Sequence, residues 1–286
     1  MSQDEAQTAR RAIRSPFDPD FDDCAWTDAW TRIPVIQVVP GVYGSLTVKS
    51  WPMTEAEVCG QHISLSSPLE VRGLVMADGT LWMSDVPQER LMMYNNALAS
   101  HGRVLIGGLG LGLYPQYAMP HVESITVVER DRTVCALVEP VVRVAADAHG
   151  VALDVQTGDI RGMLAADPLT RYDTIFLDTW HTLDAAHLPA VNRLRDMAVG
   201  HLAPDGHVLL WGYRWMVRLF EGACERVLRV APGERDRWLA VLTRQRPAVW
   251  QLLMPVVEHF AGQIVEDWDA ALAWCRAYVT RATGEE

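Results

Sequence analysis

Three carboxylates and a histidine sit where a sheet enzyme could use them. Glu129 closes the apolar run "SITVVE" at 124–129, Asp159 follows "VALDVQTG" at 151–158, and Asp178 closes "YDTIFLD" at 172–178. His181 stands three residues past Asp178, in the tetrad Asp178-Thr179-Trp180-His181. Upstream, "VLIGGLGLG" at 104–112 puts glycines at 107, 108, 110 and 112 directly behind an apolar strand. Each acid alone could be a solvated strand-end residue, and a glycine-rich turn alone could be a tight crossover. Together they suggest ligand chemistry. A glycine turn lets a ligand approach backbone closely. An acid at the end of the next strand can accept both hydroxyls of a ribose. An aspartate one strand further can accept from an adenine amino group. The spacing G-x-G-x-G does not fit the dinucleotide fingerprint G-x-G-x-x-G, because position 113 is leucine. An imidazole such as that of His181 is the natural proton acceptor near neutral pH. Tyr213, just past the fifth strand, is a candidate acceptor-facing group.

The elements needed to position these residues are legible in the pattern. From 103 onward strands alternate with helices: "RVLI", "SITVVE", "VALDVQT", "YDTIFL" and "APDGHVLLWG" read as strands, with helical stretches between them. That alternation predicts an α/β fold with a doubly wound, Rossmann-like parallel sheet, which binds ligands beyond the carboxyl ends of its strands. Before it, "VIQVVPGVYGSLTVKSW" (35–51) reads as strand or hairpin, and Asp78-Gly79 separates two strand-like arms, a strong hairpin signal. "VPQERLMMYNNALASHG" reads as a helix with Ser84 or Asp85 near its N-cap and Gly102 near its end. Beyond 213 the signals are helical, as in "DWDAALAWCRAYVTRA" at 267–282. The expected organisation is an N-terminal β-hairpin segment (1–80), a ligand-binding core (81–213) and a helical C-terminal extension (214–286). Trp26 and Trp30, four apart, suggest a short docking helix near the N-terminus.

Composition narrows the classes. The net charge of −11 disfavours a nucleic-acid or anionic-membrane partner, whose phosphates reward positive charge. No apolar run reaches the length of a membrane span, and the polar N-terminus does not read as a secretory signal, so a cytoplasmic location is expected. The five cysteines (24, 59, 135, 224, 275) form no C-x-x-C and the histidines no H-x-x-x-H pair, so no metal site is expected.

The stretch from about 80 to 212 resembles the class I S-adenosylmethionine-dependent methyltransferases, most closely their spermidine-synthase-like branch. The motifs that carry the resemblance are "LVMADGTLWMSD", "VLIGGLGLG", "SITVVER", "VQTGDIRGML", "YDTIFLDTWH" and "LAPDGHVLLWG", the last with Asp205 in place of a family glycine. The resemblance implies S-adenosylmethionine as cofactor. Gly107, Gly108, Gly110 and Gly112 would face its methionine part, Glu129 with Arg130 its ribose, and Asp159 with Ile160 its adenine. Asp178 would lie where donor meets acceptor, with His181 and Tyr213 on the acceptor side.

Two departures bear on the reaction. Aminopropyltransferases typically read G-G-G-D-G-G in the loop and D-x-x-D after the fourth strand. Here Gly110 takes the loop aspartate's place, His181 the last aspartate's, and Trp82 the place of a hairpin glutamine. Losing two carboxylates removes the charge complement for a decarboxylated donor and a polyamine. The expectation is therefore methyl transfer to a small molecule or peptide. Aminopropyl transfer and a catalytically silent S-adenosylmethionine-binding protein stand as alternatives. The C-terminal helices could serve a homodimer.

Overall fold

The computed structural model describes residues 33–58, 61–245 and 247–281. The chain divides into two compact units. The first takes in the described residues up to His181 together with Met197–Trp211, and the second comprises Thr182–Asp196 and the chain from Gly212 onward. The Trp26–Trp30 helix, Cys24 and Cys59 lie outside the described residues.

The first unit opens with an antiparallel sheet in the order β1-β2-β3-β4, formed by β1 (Gly41–Tyr43), β2 (Leu46–Val58), β3 (Gln61–Met76) and β4 (Leu81–Ser84). The Asp78-Gly79 turn behaves as its sequence predicts. Gly79 has φ +87°, and the Asp78 carboxylate accepts from the Thr80 amide at 2.9 Å. A helix α1 (Pro87–Ala99) follows. It starts later than its sequence suggests, with Val86 at the N-cap and proline in the first turn, where a missing N–H costs nothing. Asp85 is not the cap. It is buried and pairs with Arg90 Nη2 at 2.5 Å, while also accepting from Gln37 Nε2 at 2.8 Å and from the Arg72 amide. One carboxylate thus ties α1 to β3 and to the segment preceding β1.

Next come β5 (Gly102–Gly107), α2 (Leu113–Ala118), β6 (Val122–Glu129), α3 (Arg132–His149), β7 (Ala152–Thr157), α4 (Ile160–Ala165), β8 (Tyr172–Leu177), α5 (Leu188–Val199) and β9 (Leu202–Leu210). All five strands are parallel, in the order β7-β6-β5-β8-β9. The chain winds outward from β5 through β6 to β7, then returns beside β5 and winds the other way. Because parallel crossovers are right-handed, that reversal sends successive helices to opposite faces. This is the Rossmann-like doubly wound sheet expected. Val104, Leu105 and Ile106 on β5 and Ile175 and Leu177 on β8 are fully buried, the continuous apolar runs of a two-sided sheet. Each such side chain contributes about 1.5–3 kcal/mol on burial.

The turn inside "LAPDGHVLLWG" holds a non-glycine residue in the left-handed region. Asp205 is the single non-glycine residue with positive φ (+64°) among the described residues. Aspartate tolerates this region better than most residues, and a β-branched side chain tolerates it poorly. Asp205→Gly is expected to leave stability within about 0.5 kcal/mol, relief of strain offsetting unfolded-chain entropy, whereas Asp205→Val should cost more than about 1 kcal/mol. Urea unfolding of the two variants checks this, and equal losses would mean the turn relaxes.

The second unit is helical: α5 up to Asp196, then α6 (Tyr213–Leu228), α7 (Arg235–Gln245), α8 (Pro247–His259) and α9 (Trp268–Val279). Asp267 caps α9 through the Ala270 amide at 3.0 Å. Asn192 Nδ2 donates to the Val279 carbonyl at 2.8 Å and Arg195 Nη1 to the Thr280 carbonyl at 2.9 Å, so α5 holds the end of α9. Arg235 is buried, and its guanidinium donates to four carbonyls that follow or end α6 and α8.

Candidate functional site

A cleft of about 540 Å³ lies beyond the carboxyl ends of the parallel strands, and all its lining residues belong to the first unit. Each strand delivers its following loop to the wall: Gly108–Leu111 after β5, Glu129 and Arg130 at the end of β6, Gly158–Arg161 after β7, Asp178–His181 after β8 and Trp211 after β9. β4 adds Leu81–Ser84, and α1 adds Glu89 and Met93. β5 pairs with β6 on one side and β8 on the other, so the cleft straddles the point where the winding reverses, the usual ligand position of such sheets.

The four glycines divide into distinct roles. A Cβ on Gly107 would press on Ile160 Cγ1 at 2.9 Å and Leu177 Cδ2 at 3.0 Å. One on Gly108 would overlap the Asp178 carbonyl oxygen, and one on Gly112 would meet Val142 Cγ2 at 2.6 Å. These three let the chain pack against itself. Gly110 differs: its φ is +56°, and a Cβ there would meet only Met83 at the cleft wall, the sulfur at 3.3 Å. It is the position of the loop where the backbone reaches the cleft without packing against the loop's own neighbours. Gly108 and Gly110 both line the cleft, while Gly107 and Gly112 serve packing alone.

Glu129 is buried, and both oxygens are engaged by backbone. Oε2 accepts from the Leu109 amide at 2.8 Å and Oε1 from the Asp131 amide at 2.8 Å. A carboxylate has about four lone-pair sites, so capacity for a diol remains. Asp159 is exposed at the N-cap of α4, accepting from the Arg161 amide at 2.9 Å. Ile160 is buried under Gly107. Arg130 and His181 are exposed on the wall, and Asp178, half-buried, anchors its loop by donating its amide to the Gly107 carbonyl at 2.9 Å.

Tyr213 is not among the lining residues. After the left-handed turn at Gly212 (φ +61°) its side chain runs into the second unit, where it is 1% exposed and its hydroxyl donates to Asn192 Oδ1 at 2.6 Å. Burial pushes that hydroxyl up to about 12.

Three wall residues carry no signal that sequence reading picked up as functional. Trp211, which reads as a sheet-packing residue, lines the cleft and donates its indole N–H to Glu89 Oε2 at 3.1 Å. Its ring lies 6.4 Å from that of Trp180. Tyr114 stacks on Phe176 at 3.7 Å and shares a 2.6 Å hydrogen bond with Ser100. Glu89 is the third. Burial raises its carboxyl to about 7, against which the indole hydrogen bond works only weakly. Among the described residues no group of three or more His, Cys, Asp or Glu could hold a metal ion, and no helix is long and apolar enough to cross a membrane.

No family model and no curated protein matches the chain. Solved structures similar to it include a proposed O-methyltransferase from Klebsiella pneumoniae, at 19% identity over 36% of this chain and 44% of that one, TM-score 0.27. Spermidine synthase from Thermotoga maritima is similar at 15% identity over 54% of each chain, TM-score 0.34. MnmC2 from Aquifex aeolicus is similar at 15% identity over 52% of this chain and 60% of that one, TM-score 0.34. The chain thus spans between about two fifths and three fifths of the structures it matches. The residues of the cleft, more than these partial likenesses, bear on what it holds.

Proposed function

We propose that the chain is an S-adenosylmethionine-dependent methyltransferase acting on a small molecule or peptide. One observation carries the reading: the backbone at Gly110, the carboxylates of Glu129 and Asp159, and Asp178 all line one cleft at the carboxyl edge of a parallel sheet. That set fits the donor. Gly110 suits its methionine part, Glu129 its ribose hydroxyls, and Asp159 with Ile160 its adenine. When bound, the donor supplies a methyl group on a sulfonium. The chain's own part is to align the acceptor with that methyl and to exclude water. In this reading Asp178, Trp180 and His181 meet the acceptor, and Trp82 and Trp211 line the same cleft.

Titration calorimetry tests the reading. S-adenosylmethionine and its demethylated product should bind, and NAD should not. Glu129→Ala should weaken donor binding by about 1.5–3 kcal/mol, the scale of hydrogen bonds to a charged group, with the loop anchor at Leu109 lost as well. Binding of NAD alone would sink the assignment. An unchanged affinity in a folded Glu129→Ala would put the ribose elsewhere.

Aminopropyl transfer remains a second reading for one reason. Glu89 and Asp178 give the cleft two carboxyl groups that a cationic amine could use. Formation of spermidine from decarboxylated donor and putrescine would promote it.

A further inference from the structure

Glu89 is the least explained group of the cleft. It stands in the first turn of α1, an element fixed by the buried Asp85–Arg90 pair one residue further on. Its Oε2 takes the Trp211 indole N–H at 3.1 Å. Its Oε1 accepts no hydrogen bond from any described residue. The residue is half-buried, and this second oxygen is left open to the cleft instead of being spent on the fold. No helix cap, ion pair or loop anchor uses it, and it lines the same cleft as Trp82, Met83, Trp180 and Trp211.

We propose that Glu89 takes the proton that the acceptor loses during methyl transfer, and that the acceptor is a neutral molecule presenting an N–H or O–H on a flat ring. The inference rests on the methyltransferase reading above. The flat ring follows from the three indoles that line the cleft, one of them bonded to the carboxyl, which offer broad faces for stacking. The neutral nucleophile follows from the reaction. A lone pair on nitrogen or oxygen forms the new bond to the methyl carbon, and the electron pair of the broken carbon–sulfur bond stays on sulfur. The positive charge that leaves sulfur is left on the acceptor as a proton, which passes to Glu89 Oε1. Burial suits the group to this task. A carboxyl raised to about 7 is partly ionised at neutral pH and holds a proton far better than an exposed glutamate.

The other titratable or charged groups of the wall are Asp178 and His181 after β8, Tyr114 on α2, Glu129 and Arg130 after β6, and Asp159 and Arg161 after β7; Arg90 neighbours Glu89 on its own helix. His181 is the histidine among the cleft's lining residues, so His181→Asn is carried alongside.

The test has two readouts on the full chain. The first follows the Trp211 indole N–H signal by nitrogen-15 NMR between about pH 5.5 and 8.5 without any ligand. It should shift with a midpoint near 7 in the wild type and in His181→Asn, and stay fixed in Glu89→Gln, whose amide oxygen can still accept the indole bond. The second measures S-adenosylhomocysteine formed from S-adenosylmethionine with the low-molecular-mass fraction of a cell extract as acceptor pool. Glu89→Gln should slow it by about 100-fold while donor affinity stays within about threefold, the usual scale for losing a general base. A Trp211 signal that does not move in the wild type overturns the proposal and needs no variant to fold. So does a Glu89→Gln rate within a few fold of wild type. If the wild type binds the donor yet forms no product from the pool, the methyl-transfer reading itself fails and the role of Glu89 falls with it.

Discussion

Arg235→Met should lower the stability of the helical unit by about 3 kcal/mol, because four carbonyls lose their donor, two of them buried, and each buried unpaired group costs about 1–3 kcal/mol, partly offset by no longer burying a cation. The four are the carbonyls of Leu228, Val230, Phe260 and Gln263, at 2.8–3.0 Å from the guanidinium nitrogens. Leu228 ends α6, and Phe260 follows directly on α8. The last carbonyls of a helix have no partner within it, and the negative end of its dipole favours a cation. Arg235 serves two such ends at once. Burial lowers its pKa, so the charge is held at a cost that the carbonyls offset. Methionine keeps an apolar stem of similar reach and removes only the donors. Arg235→Lys should recover part of the loss, since an ammonium has three donors without the planar fork. Urea unfolding followed by tryptophan fluorescence measures both, and a loss under about 1 kcal/mol for the methionine variant would mean that water takes over the carbonyls.

The second large effect is expected at Asp85. Asp85→Ala deprives the buried Arg90 of its carboxylate and also releases Gln37 and the Arg72 amide. Removing one partner of a buried ion pair typically costs about 3–5 kcal/mol, much of it from the charge left behind. That origin makes a specific prediction. Asp85→Ala combined with Arg90→Leu should be more stable than Asp85→Ala alone, because the stranded charge goes as well. A double variant less stable than the single one would show that the contacts to β3 and to the preceding segment dominate instead.

The parallel sheet was legible because its signals are local. Apolar runs alternate with helical spacing, a glycine turn follows the first run, and acids close the next ones. The hairpin at Asp78-Gly79 was legible for the same reason, since a two-residue turn carries its own chemistry. The helical tail was also readable, since the segment after Gly212 has helical spacing and goes to α6–α9. What escaped depends on contacts remote in sequence. Glu89 and Trp211 lie 122 residues apart, and nothing near either one announces the other. Asp85 looked like a helix cap because it precedes a helix, but its partners come from three elements. Tyr213 follows a strand at the cleft edge, yet a left-handed glycine turns the chain before it, and side-chain direction after such a turn is not written in spacing.

The grip of Glu129 on the glycine loop also bears on timing. The Leu109 amide is bonded to a buried carboxylate from a neighbouring strand, so it should exchange with solvent deuterium slowly even with no small molecule present. A loop already frozen in its working shape charges little ordering entropy to a ligand on arrival. Capture by such a loop should be quick and nearly rigid.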